Sequence, residues 1–145
     1  MAAVVVNTLA KVRELSAEQA AWGPAAWTVL ATGTNSANVA VVAAIAGGGP
    51  GGLKPPVQHF LSHATISVSA AYTTVGNVQI KDGTTVIWQL EIALAAPLVI
   101  DIEFARPLAA TPGNLLSVSQ PAAGSAIVQT VCISGFSAPD QAAYT

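Results

Sequence analysis

Apolar residues recur along this chain with two different periods, and the change between them divides it. Near the start, Leu9, Val12 and Leu15 are spaced as on one face of a helix, and Thr8 stands where a cap would. Ser16 with Gln19 has the form of a capping box ahead of Ala20, Ala21 and Trp22, and Gly23-Pro24 ends any helix. The pattern predicts a short, partly helical N-terminal arm over residues 1–26. It is too small to form a core of its own and must pack on the rest of the chain or on a neighbour.

Beyond the arm the period falls to two, the spacing of a strand with one buried face. Strands are predicted over 27–31, 38–45, 59–70, 78–80, 85–94, 98–104, 115–120 and 126–134, each bounded by turn formers such as Thr32 to Ser36 or Pro121 to Ser125. The run 47–52, five glycines around Pro50, leads into Leu53, Lys54, Pro55 and Pro56. It reads as an exposed loop, because its glycines are entropically costly in a regular element and its prolines cannot donate to a ladder.

Alternation also assigns faces. In the third strand Phe60, Ala64, Ile66 and Val68 are expected on one side, with His63, Thr65, Ser67 and Ser69 opposite. In the fifth, Val86, Trp88, Leu90 and Ile92 face inward; in the sixth, Leu98, Ile100, Ile102 and Phe104 do so, with Asp101 and Glu103 outside. Between the fourth and fifth strands, a three-residue Lys81-Asp82-Gly83 loop would pair Val78 with Val86 and Ile80 with Thr84. That register keeps the apolar residues together and requires a positive φ at Gly83, whereas a two-residue Asp82-Gly83 loop would split them.

Eight short strands with closely spaced turns predict an all-β fold, an antiparallel β-sandwich with an eight-stranded jelly-roll closure. The sandwich is expected over 27–138, followed by a C-terminal tail over 139–145. For a chain of 145 residues this is one domain with one core.

Composition changes the picture in one respect. Only 8% of residues are charged, against about 25% in an average soluble domain, so part of the outer face is expected to meet a partner or another copy. The net charge is −2, and Lys11, Arg13, Lys54, Lys81 and Arg106 form no cluster. Nucleic-acid binding, which draws its affinity from a concentrated basic footprint, is not expected. Apolar runs such as 39–46 and 90–100 are short or broken by Glu91 and Pro97, so no helix of about 20 apolar residues is available to span a membrane. The start of the chain lacks the basic and apolar regions of a signal peptide.

Candidate chemistry is sparse. Cys132, the only cysteine, lies in an apolar strand and reads as a small buried hydrophobe. His59 and His63, four apart on one strand, would point to the same side about 13 Å apart, too far to share a metal. Glu91 and Asp101 could face each other across a hairpin closed at Ala95-Ala96-Pro97, near Glu103. That would make a weak cation site, a glycosidase-like pair, or an acidic face answered by Lys81 or Arg106. No serine stands in a nucleophile elbow, and the 47–52 run lacks the Lys of a phosphate loop. Trp22, Trp27, Trp88, Tyr72 and Tyr144 could form a sugar platform, but Trp88 is core by alternation, and Trp22 with Trp27 suits an anchor for the arm. These residues call for no enzyme, cofactor or metal.

The succession Thr65-Ile66-Ser67-Val68-Ser69-Ala70-Ala71-Tyr72, then 78–88, then Pro112-Gly113-Asn114-Leu115-Leu116-Ser117-Val118, and finally 131–136, resembles the β-sandwich domains of tailed-bacteriophage capsid decoration proteins, also called cement or head-fibre proteins. The resemblance covers about the last 85 residues and carries no catalytic signature. It implies a structural virion protein, made in the host cytoplasm, commonly trimeric, and seated on the major capsid protein where capsomers meet. It further implies capsid contacts by an N-terminal arm. On that view the interface residues are Val4, Val5, Val6, Leu9, Leu15 and Trp22, joined by Leu53 and Lys54 of the loop. A fibre or receptor-binding module for a host glycan is the alternative, and a small sandwich enzyme the third.

Overall fold

The computed structural model describes residues 25–48, 55–92 and 98–140. These form eight strands: β1 (Ala25–Asn35), β2 (Asn38–Val42), β3 (Val57–Val68), β4 (Gly76–Asp82), β5 (Thr85–Ile92), β6 (Leu98–Ala109), β7 (Leu116–Gln120) and β8 (Gly124–Pro139). Every predicted strand is present. The described strands run from Ala25 to Pro139. The remainder of the predicted arm, most of the glycine-rich loop and most of the tail lie outside the described residues.

Two four-stranded antiparallel sheets carry the fold, one in the order β1-β8-β3-β6 and the other β2-β7-β4-β5. Consecutive strands cross between the sheets at every connection except the β4–β5 hairpin. This interleaving is the eight-stranded jelly roll that strand number alone had suggested. Leu61, Ile66, Val131 and Ile133 of the first sheet meet Val78, Ile80, Leu116 and Val118 of the second, and all eight are fully buried. Their removal from water, at about 25 cal/mol per Å² of apolar surface, drives the sheets together.

Three local irregularities decide where side chains point. In β3 the register slips between Leu61 and His63, so Ser62 is an extra residue and the alternation reverses across it. Before the bulge the odd positions face in, and after it the even ones do. Phe60 is therefore outward, contrary to the period-two expectation, and Leu61 takes the core position.

The second irregularity corrects the β4–β5 register. Val78 pairs with Leu90 and Ile80 with Trp88, the turn closes on Asp82 and Thr85, and a bulge between Ile80 and Lys81 leaves Ile87 as the extra residue. Of the expected set Val78, Val86 and Trp88, the bulge keeps Val78 and Trp88 on the core side with Ile80, but Val86 pairs with Lys81 and is exposed, contrary to the inward expectation. Gly83 does have positive φ, 58°, a conformation glycine adopts without steric cost.

The third lies in β6, which continues past Pro107 to Ala109. Residues 104–107 stand outside the paired ladder between Glu103 and Leu108. As β6 is an edge strand, proline is tolerated there.

Candidate interaction surface

Each sheet has one face in the core and one turned outward. On the first sheet the registers align four cross-strand rows: Thr32–Thr130–Ser67–Val99, Leu30–Cys132–Thr65–Asp101, Thr28–Ser134–His63–Glu103, and Ala26–Phe136–Phe60–Ala109. Hydroxyl and apolar side chains fill most of this face, with His63 on β3 and carboxylates only on β6; Cys132, expected to be buried, is half-buried here on the outward side. Leu30 is 66% exposed and Val99 72%. Both are large apolar residues that the described residues leave uncovered. Phe60 and Phe136 stack at 4.8 Å between centroids, 12° from parallel. No period-two reading could place this pair, since the Ser62 bulge brings Phe60 to the outside.

The outer face of the second sheet is more polar. Gln79 lies between Ser119 and Gln89, Lys81 beside Ser117, and Asn77 opposite Glu91. Val39 and Val41 protrude at its β2 edge.

The sequence candidates fall apart in space. Glu91 and Asp101 cannot form a pair, because β5 and β6 belong to different sheets. Asp101 instead accepts from Thr65 Oγ1 at 2.9 Å and contacts His63 Nε2 at 2.6 Å, with Glu103 opposite His63 across the ladder. The Ser62 bulge also puts the two histidines on opposite faces, correcting the same-side expectation. Among the described residues no three of His, Cys, Asp and Glu gather in a metal-holding group.

His59 is buried in a clamp between strands. Its Nε2 is 2.9 Å from the Ala43 carbonyl, which can only accept, so this nitrogen carries the proton. Nδ1 therefore accepts from Ser137 Oγ at 2.6 Å, and Ser137 Oγ in turn accepts from Trp27 Nε1 at 2.9 Å. A hydroxyl held by an imidazole is also the first requirement of a serine nucleophile. Here both groups are buried and the hydroxyl is committed to Trp27 as well, so the set ties β1, β3, β8 and the segment after β2 together. Gly135 makes room for it: a Cβ there would meet the Trp27 ring at 2.7 Å.

At the other end of the interior, Tyr72 donates to Gln129 Oε1 at 2.7 Å, and Gln129 Nε2 donates to the Ser36 carbonyl. Asn38 Nδ2 serves the Ala31 carbonyl and Gln120 Oε1. Burial pushes the Tyr72 pKa up, so the phenol stays protonated and donating. Gln120 Nε2 itself has no partner within hydrogen-bond geometry.

Asp82 closes the β4–β5 turn. It accepts from Thr111 N and Oγ1 at 2.9 and 2.6 Å, and from Asn114 Nδ2 at 2.9 Å. Partial burial raises its pKa, but these bonds outweigh that and hold it below the usual carboxylate value.

Of the aromatic candidates, Trp88 packs on the core edge-on to Phe104 with centroids 5.9 Å apart, and Tyr72 is buried. With Trp27 in the clamp, none of these three is free to line a sugar platform. Trp22 and Tyr144, and all eight residues expected to form the capsid interface (Val4, Val5, Val6, Leu9, Leu15, Trp22, Leu53, Lys54), lie outside the described residues. Compared with known proteins, the chain matches no family profile, no curated protein and no solved structure.

Proposed function

We propose that this chain is a structural virion protein, a decoration or cement protein that stabilises a phage head at capsomer junctions. The carrying observation is the exposed, nearly uncharged outer face of the β1-β8-β3-β6 sheet, set on a jelly roll whose buried polar groups are largely engaged with one another. Such a molecule works through contact area, and a symmetric shell multiplies each contact by the number of equivalent sites. The partner is the major capsid protein, reached through the N-terminal arm, and the chain acts as a homo-oligomer, a trimer by the resemblance. No catalytic step is needed.

The arm is the testable part. The eight strands of the described residues begin at Ala25 or later, so a chain lacking residues 1–22 is expected to keep its β-rich circular dichroism and cooperative unfolding while failing to attach to heads assembled without the protein. Full occupancy by the truncated chain would refute the arm's role.

One observation favours the fibre or receptor-binding reading, namely the Phe60–Phe136 pair on an outer face, since aromatic surfaces stack on sugars. Saturable glycan binding abolished by Phe136→Ala would support that reading over the first.

A further inference from the structure

Resting on the structural reading above, we infer that the outer face of the β1-β8-β3-β6 sheet is where copies of this chain meet, with Cys132 on an inner strand of the contact and Leu30 at its β1 side. Size is the first argument. Four strands about 4.8 Å apart, each about 11 residues long at about 3.3 Å per residue, present about 700 Å², close to the roughly 800 Å² per partner of a standard interface. Charge is the second. The outward positions of β1 and β8 carry no ionisable group except the Cys132 thiol, and the other ionisable groups of the face, His63 on β3 with Asp101 and Glu103 on β6, sit together toward the β6 side.

Depletion of charge, as on the β1-β8 half of this face, is the mark of the core of a protein–protein contact. A surface that matches it must itself lack charge. With 8% charged residues, the chain supplies such a surface in another copy of itself. A nucleic acid would meet hydroxyls, aliphatic carbons and two carboxylates instead of countercharge, and a strongly basic partner would find carboxylates only on β6.

Placement is the third argument. Leu30 lies on edge strand β1 and Val99 on edge strand β6, so large exposed apolar groups mark both sides of the sheet. Between them Cys132 pairs with Leu30 on one side and Thr65 on the other. The only thiol in the chain thus stands in the middle of the proposed contact and reports on it.

The experiment uses the full chain, measuring mass by sedimentation velocity and the rate of Cys132 labelling by a maleimide across a wide concentration range. The wild type is expected to sediment as a multiple of its 14.5 kDa chain, with labelling that speeds up at least tenfold on dilution. Leu30→Lys is expected to give single chains with fast labelling at every concentration, and Val99→Lys is expected to weaken association in the same direction. Val39→Lys, on the other sheet, should leave both readouts unchanged. If Leu30→Lys does not fold, the dilution dependence of the wild type and the Val99→Lys variant decide.

Single chains with fast labelling at high concentration would overturn the inference. So would single chains with slow labelling at every concentration, which would mean that the chain's own residues 1–24 cover the face. Association that survives both lysine substitutions with Cys132 open would place the contact elsewhere. Head binding is measured separately: copies that associate through this face but ignore heads would keep this inference and sink the capsid reading, and the reverse result would do the opposite.

Discussion

Asp82 shows how one polar side chain can hold a turn that glycine makes possible. Its carboxylate takes three hydrogen bonds from the Thr111 and Asn114 side of the β6–β7 connection, while Gly83 supplies the left-handed backbone beside it. Hydrogen bonds to a charged group are worth about 1.5–3 kcal/mol, and partial exposure lowers the net effect. Asp82→Ala is therefore expected to cost about 1–2 kcal/mol in urea unfolding at neutral pH. The folded pKa is depressed, so this stability is fully present above the unfolded carboxylate value of about 3.9 and disappears as pH falls through the folded one. The gap between wild type and variant should close in acid, and a gap that stays constant to low pH would contradict this account. Neither Thr111 nor Asn114 could be assigned to Asp82 from the sequence, because they stand 29 and 32 residues away.

At the scale of elements, strands were legible and their faces only partly so. Alternation finds β3 because Ala64, Ile66 and Val68 keep strict period, but it cannot see Ser62 as a bulge, and one inserted residue turns Phe60 from core to surface. The same limit hides the Ile87 bulge, which keeps Val78 and Trp88 on the core side but turns Val86, expected inward, to the surface. The sheet partnership of β5 and β6 also had no local signal, so the Glu91–Asp101 pair dissolved once those strands went to different sheets. What locks the elements is the buried clamp of Trp27, Ser137 and His59, which joins residues 78 and 110 apart. Ser137→Ala leaves the Trp27 N–H and His59 Nδ1 without their shared partner, and about 1–3 kcal/mol of stability should be lost for each buried group left unsatisfied. Denaturant melts check the loss, and hydrogen exchange should locate it at the β1–β8 pairing. A neutral effect would mean that the clamp is incidental.

For the whole molecule, the jelly roll accounts for the mixture of a closed interior and an open exterior. Strand crossings between the sheets bury the apolar set of each strand, and the low charge content leaves the outward set unusually quiet for a surface in water. The sequence carried that deficit of charge plainly, but not which sheet would show it, since that depends on strand order. Contact by surface, with copies of itself and with a larger particle, is the activity we propose for this arrangement. Co-sedimentation of the full chain with purified heads lacking it tests that claim most directly. The account predicts saturable binding at a fixed number of copies per head and heads that resist heat better once bound. Chain that remains in the supernatant at every concentration, leaving the heads no more stable, would contradict it.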